Sequence, residues 1–152
     1  MSRAGGRFTA AGAIVVCLLL SWCGSLVGCG NVAAPAPQDD TYDRLRKVYN
    51  LYRAYVDKNQ KGPGSEDALR EFGKSLTAQE RAERSIGDDL DTIFVSPRDK
   101  EKFVIQYNLK PNPAKPQALA WEATGKNGMH CVVLTMGYPA EYDEKTLNEA
   151  KK

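Results

Sequence analysis

Between Arg7 and Asp39 the chain carries no charged side chain. The stretch opens behind two positive residues, Arg3 and Arg7, and runs almost wholly apolar from Ala10 to Trp22. Positive charge, then an apolar core, then small residues is the order of an export signal, because the cationic end stays on the cytoplasmic side while the apolar part enters the bilayer. Roughly 13 residues rising about 1.5 Å each make a helix of about 20 Å. A hydrocarbon core of about 30 Å needs more than that, so the run suits a removable signal better than a permanent span. An uncleaved anchor extending through Val27, about 18 residues, has the length to cross and stays open as the alternative.

Leu26-Val27-Gly28-Cys29 closes the run. These four residues resemble the lipobox of bacterial lipoproteins: Leu three before the cysteine, a tolerated Val, a small Gly, then the Cys. The resemblance implies cleavage of residues 1–28, a diacylglyceryl thioether on the Cys29 sulfur and an acylated new amine. Each buried CH₂ contributes about 0.8 kcal/mol, so two or three acyl chains make membrane lipid a firm partner of Cys29. Gly30 in second place, rather than Asp, implies the outer membrane facing the periplasm. Gly6-Arg7-Phe8-Thr9 is faintly similar to a type IV prepilin leader, but the Glu and the long unbroken helix of that family are missing. A pilin-like or pseudopilin-like assembly subunit is therefore the second expectation.

Residues 29–152 are one domain's worth of chain. Two of the 21 lysines and arginines precede Cys29, and the others balance 19 acids. That balance offers no basic patch for nucleic acid. Of four cysteines, Cys17 and Cys23 fall in the signal and Cys29 takes lipid. Cys131 is left without an internal partner, so the domain must stand on packing.

Residues 29–40, with Pro35, Pro37 and small side chains, read as a lipidated cysteine and flexible tether. Residues 41–152 read as a single α+β domain. Tyr42, Leu45, Val48, Tyr49, Tyr52, Tyr55 and Val56 recur at helical spacing and predict a long amphipathic helix from Thr41 to about Asn59. Its tyrosines are expected to pack on a sheet, their phenol oxygens reaching water at the rim. Gly62-Pro63-Gly64 breaks the helix, Ser65 caps a short one with Leu69 and Phe72 inward, and Thr77 with Glu80 has capping-box spacing for a surface helix to about Ile86. Three antiparallel strands are predicted: Phe103 to Asn108, Ala118 to Glu122 with Leu119 and Trp121 on one side, and Met129 to Met136 after a Gly125–Gly128 hairpin turn. A short C-terminal helix is predicted from Glu141 to Ala150.

Ser96-Pro97-Arg98-Asp99, then Phe103-Val104-Ile105, Leu119-Ala120-Trp121-Glu122, a Gly turn and Val132-Val133-Leu134 resemble small uncharacterised bacterial lipoproteins. The three-strand meander is similar to the C-terminal sheet of type II secretion pseudopilins. The resemblance covers roughly Leu90 to Met136 and implies no reaction. Where those proteins often carry Gly after Arg-Asp, this chain has Lys100-Glu101, which is expected to loosen the turn.

The chemistry-bearing residues converge poorly. His130, the one histidine, neighbours Cys131, but adjacent strand residues point to opposite faces. One His and one Cys fall short of a zinc site. His130 is expected at a strand edge, with Cys131 packed as a small apolar group. Asp88, Asp89 and Asp91 offer weak cation ligands in a spacing unlike an EF-hand and are read as a solvated acidic link. Arg98 and Asp99 are expected to pair across their turn for about 0–1 kcal/mol. The expectation is a membrane-anchored envelope lipoprotein with no cofactor and no metal, and a non-enzymatic interaction or structural role beside an envelope protein partner. The third expectation, an enzyme with an unrecognised site, would rest on His130 or Asp99.

Overall fold

The computed structural model describes residues 40–152. Leu26, Val27, Gly28, Cys29 and the expected tether lie outside the described residues. The described chain is α+β, with α1 Asp40–Asn59, α2 Glu66–Ser75, α3 Ala78–Glu83, a 3-10 turn Thr92–Phe94, β1 Val104–Ile105, β2 Ala118–Trp121, β3 Met129–Leu134, β4 Pro139–Asp143 and α4 Glu144–Ala150.

The sheet has four strands in the order β1-β2-β3-β4, all antiparallel, where three were expected. The extra strand, β4, lies on an edge and pairs Val133 with Pro139 and Met129 with Asp143. Pro-Ala-Glu-Tyr-Asp is poor in strand formers, and its proline has no N–H to give a ladder. Pairing with apolar β3 holds it, not its own propensity. The C-terminal helix is shortened to match: Asp143 caps it by accepting from the Thr146 N–H at 2.8 Å, and helix begins at Glu144. The expected strand over 103–108 is cut to two residues, and the helix expected to reach Ile86 ends at Glu83.

One side of the sheet faces α1. Leu45, Val48 and Leu51 are fully buried there, with Phe94, Leu119, Cys131 and Val133. Burying side chains of this size contributes about 1.5–3 kcal/mol each. The other side holds a smaller cluster of Ala118, Trp121, Val132 and Leu147, the last from α4. Leu119 and Trp121 therefore do not share a face. The register slips between Ala118 and Ala120, and this bulge turns Leu119 toward α1 and leaves Trp121 under α4.

The helices ahead of the sheet follow their caps. The Ser65 hydroxyl accepts from the Ala68 N–H, and Thr77 and Glu80 form the reciprocal capping box. The α2 face packs by Phe72, edge-on to Tyr55 at 5.2 Å between ring centres. Of the α1 tyrosines, Tyr42 and Tyr52 reach less water than expected, while Tyr49 and Tyr55 stay partly exposed. The Tyr52 hydroxyl donates to the Leu109 carbonyl at 3.0 Å and accepts from the Leu109 N–H at 2.8 Å. One phenol thus completes both backbone groups of a loop residue and ties the irregular link 106–117 to α1. Burial raises its pKa to about 12. No described helix is long and apolar enough to cross a membrane.

Candidate functional site

The polar residues of the Ser96–Asp99 turn and of the β2 end meet inside the domain. Glu122 follows the last residue of β2 and is fully buried, as is Ser96. Arg98 reaches the Glu122 carboxylate with Nη2 at 2.6 Å and Nε at 3.1 Å. The same guanidinium binds the Glu141 carboxylate of β4 and donates to the Met129 carbonyl of β3 at 2.8 Å. Glu122 accepts further from the Ser96 hydroxyl and the Cys131 N–H, each at 2.8 Å. The Ser96 oxygen in turn accepts from the N–H groups of Arg98 and Asp99.

The expected Arg98–Asp99 pair does not form. Asp99 turns outward and accepts from the N–H groups of Thr124 and Gly125 at 3.1 Å each, and from Glu101 at 3.1 Å. It anchors the β2–β3 hairpin to the turn, while Arg98 stitches β2, β3 and β4 together. Burial works against the Arg98 charge, but the Glu141 and Glu122 carboxylates outweigh it and hold its pKa above the usual value. Burial raises the Asp99 pKa, and the backbone donors overcome that, leaving it below the ordinary value.

His130 and Cys131 are turned apart by the strand, His130 toward α4 and Cys131 into the α1-side core. His130 is not at an edge, because β3 lies between β2 and β4. Its Nδ1 is 2.9 Å from the Glu122 carbonyl and its Nε2 3.2 Å from the Glu144 carboxylate. The Cys131 thiol lies against Glu122 and the Tyr42 hydroxyl, and burial, then the Glu122 charge, push it up to about 12. A thiol held there carries almost no thiolate at neutral pH, which is the form a nucleophile or metal ligand needs.

The acidic link is more tied than expected. Asp88 pairs with Arg81 at 3.2 Å and Asp91 with Arg70 at 2.6 Å, while Asp89 accepts from the N–H groups of Asp91 and Thr92. A cleft of about 310 Å³ lies between this link and the start of α1, floored by Ile86 and Ile93. That is the low end of ligand-site volumes. Its cations are already engaged: Lys47 pairs with Asp43 at 2.6 Å, and Arg44 donates to the Thr92 and Val95 carbonyls at 2.9 Å each. Among the described residues no group of three or more His, Cys, Asp or Glu is placed to hold a metal ion.

The arrangement is one of structural cross-links. The serine, the arginine and both glutamates are engaged with each other and with backbone groups of β3 and of the turn. What sequence reasoning missed was Arg98 to Glu122, 24 residues apart, and Arg98 to Glu141, 43 apart; both glutamates end or begin a predicted element, but nothing local signals the pairing. The chain matches no family model, no curated protein and no solved structure.

Proposed function

We propose that the chain is a lipid-anchored protein of the bacterial envelope, whose α+β domain acts beside the membrane through a non-enzymatic interaction or structural role. The observation that carries this reading is Leu26-Val27-Gly28-Cys29 directly behind an uncharged apolar run with arginines ahead of it. Eleven residue steps separate Cys29 from Asp40, where α1 begins. An extended chain spans about 3.3–3.6 Å per residue, so the domain stays within about 40 Å of its lipid. The Arg98–Glu122 cluster supports the non-enzymatic part, because its guanidinium and its buried carboxylate are engaged with each other, with Glu141 and with the β3 backbone. The outer membrane, facing the periplasm, is the address that Gly30 favours.

Growth with a clickable fatty acid tests the anchor. Wild-type protein is expected to take the label and stay in the membrane fraction, and Cys29→Ser to lose both. A Cys29→Ser protein that matures and fractionates as wild type would overturn the reading.

A further inference from the structure

We propose that His130 and Glu144 form a proton-operated latch that holds α4 on the sheet. A helix of seven residues does not persist in water alone, since isolated helices shorter than about 12–15 residues are marginal. It is held by its contacts. Leu147 is the only residue of α4 that is fully buried, against Trp121 and Val132. The C-terminal end is pinned by the Gln106 side-chain amide, which donates to the Lys151 carbonyl at 3.2 Å, and by the Lys151 ammonium 5.0 Å from the centre of the Trp121 ring. The N-terminal end continues from β4, whose Asp143 pairs with Met129 in the ladder, and its first residue, Glu144, is tied to β3 by His130.

The two ring nitrogens face two acceptors, which the neutral and charged rings satisfy to different degrees. Nδ1 faces a carbonyl oxygen of Glu122 and Nε2 faces a carboxylate oxygen of Glu144. Both partners only accept hydrogen bonds. A neutral imidazole has one N–H and completes one of the two contacts, while an imidazolium completes both and adds an ion pair to the second. The Glu122 contact lies within the β2–β3 hairpin, so the contact that depends on the second proton is the one to α4.

The groups around the ring fit a switch of modest strength. From α4 come Glu144 and, 3.9 Å from its other oxygen, the competing Lys151 ammonium. From β4, Tyr142 lies opposite His130 in the ladder. From β2 the ring meets the Glu122 carbonyl, because the Glu122 carboxylate is turned through to Arg98, and from the hairpin turn Gly125 lies against it. Glu144 is 64% exposed, so solvent screens the pair.

Opening α4 uncovers an apolar row. Val104, Trp121, Val132 and Ala140 are successive partners across the four strands, and Val104 is already 40% exposed at the row's end. Loss of the His130 proton therefore loosens the cover of a sheet face, and gain of it closes the cover.

Hydrogen exchange of the full chain in detergent, read by mass spectrometry at the α4 peptide and corrected for the intrinsic pH effect, tests this. Across the range in which imidazoles exchange protons, about pH 5 to about pH 8, α4 protection is expected to fall roughly two- to fivefold relative to α1, as suits an exposed pair. Glu144→Gln is expected to abolish the difference, and Lys145→Gln, which removes a neighbouring charge on the same helix, to keep it. Equal α4 protection at both pH values in the wild type would overturn the proposal, and so would a full pH response surviving in Glu144→Gln.

Discussion

The Arg98 guanidinium grips the fully buried Glu122 carboxylate at 2.6 Å, joining the turn before β1 to the end of β2. Removing one partner of a buried pair leaves an uncompensated charge, at a cost of about 3–5 kcal/mol. Arg98→Met is expected to destabilise the domain by that amount, read as a lower urea midpoint at unchanged slope. The double variant Arg98→Met/Glu122→Leu is expected to be less unstable than Arg98→Met alone, since the fully buried charge is gone and only the half-buried Glu141 loses its partner. A double variant as unstable as the sum of its single variants would show that the pair is not coupled.

Lys100 holds φ +65°, the left-handed region, in the turn that Asp99 anchors. A side chain there costs roughly 1–2 kcal/mol, from which the extra freedom of an unfolded glycine subtracts about 0.5–1 kcal/mol. Lys100→Gly is expected to stabilise the domain by about 0.5–1 kcal/mol, visible as a higher Tm. Lys102→Gly, whose backbone is not left-handed, is expected to lower it. Lys100-Glu101 was the place where the sequence reading looked for a glycine, and Lys100 is the residue of the two with a left-handed backbone. Its expected consequence was a loosened turn, but the turn keeps its bonds, with Lys100 N–H donating to Ser96 O at 3.0 Å and Ser96 N–H to Glu101 O at 2.8 Å.

Asp99 gives the domain an acid-sensitive joint. Its pKa in the folded protein lies below the ordinary value of 3.8, because backbone donors from Glu101, Gly125 and Thr124 outweigh the effect of burial. A depressed folded pKa contributes stability above the unfolded value and loses it as pH falls through the folded one. Asp99→Asn is expected to flatten part of the decline in urea midpoint below about pH 4. An acid limb identical to the wild type would remove Asp99 from the account.

Tyr52 serves Leu109 with both a donor and an acceptor. Tyr52→Phe leaves two backbone groups to find other partners, at about 1–3 kcal/mol for each that stays buried. Gly62 allows the approach: a Cβ there would stand 2.5 Å from the Tyr52 hydroxyl and 2.6 Å from the Leu109 carbonyl. Gly62→Ala is expected to cost about 1–3 kcal/mol through the forced shift. Combined, the two are expected to cost less than their sum, because both disrupt one contact; thermal melts of the set check it.

Patterns carried on consecutive turns or strands were legible in the sequence. The apolar period from Tyr42 to Val56, the Ser65 and Thr77 caps and the Gly125–Gly128 turn all depend on neighbours within a few residues. The unread features depend on distant partners. β4 exists because β3 offers it a ladder, the opposed directions of Leu119 and Trp121 come from a slip of β2 against β3, and Glu122 looks like an ordinary strand-end acid until Arg98 folds over it. The Tyr52 hydroxyl was assigned to water for the same reason, since Leu109 is 57 residues away.

The intact mass of the protein extracted from membranes bears most directly on the central claim, that Cys29 is the lipid-bearing first residue of the mature chain. The expected result is a chain beginning at Cys29 with the added mass of a diacylglyceryl group and an amide-linked acyl chain. The full 152-residue polypeptide without added mass would contradict it.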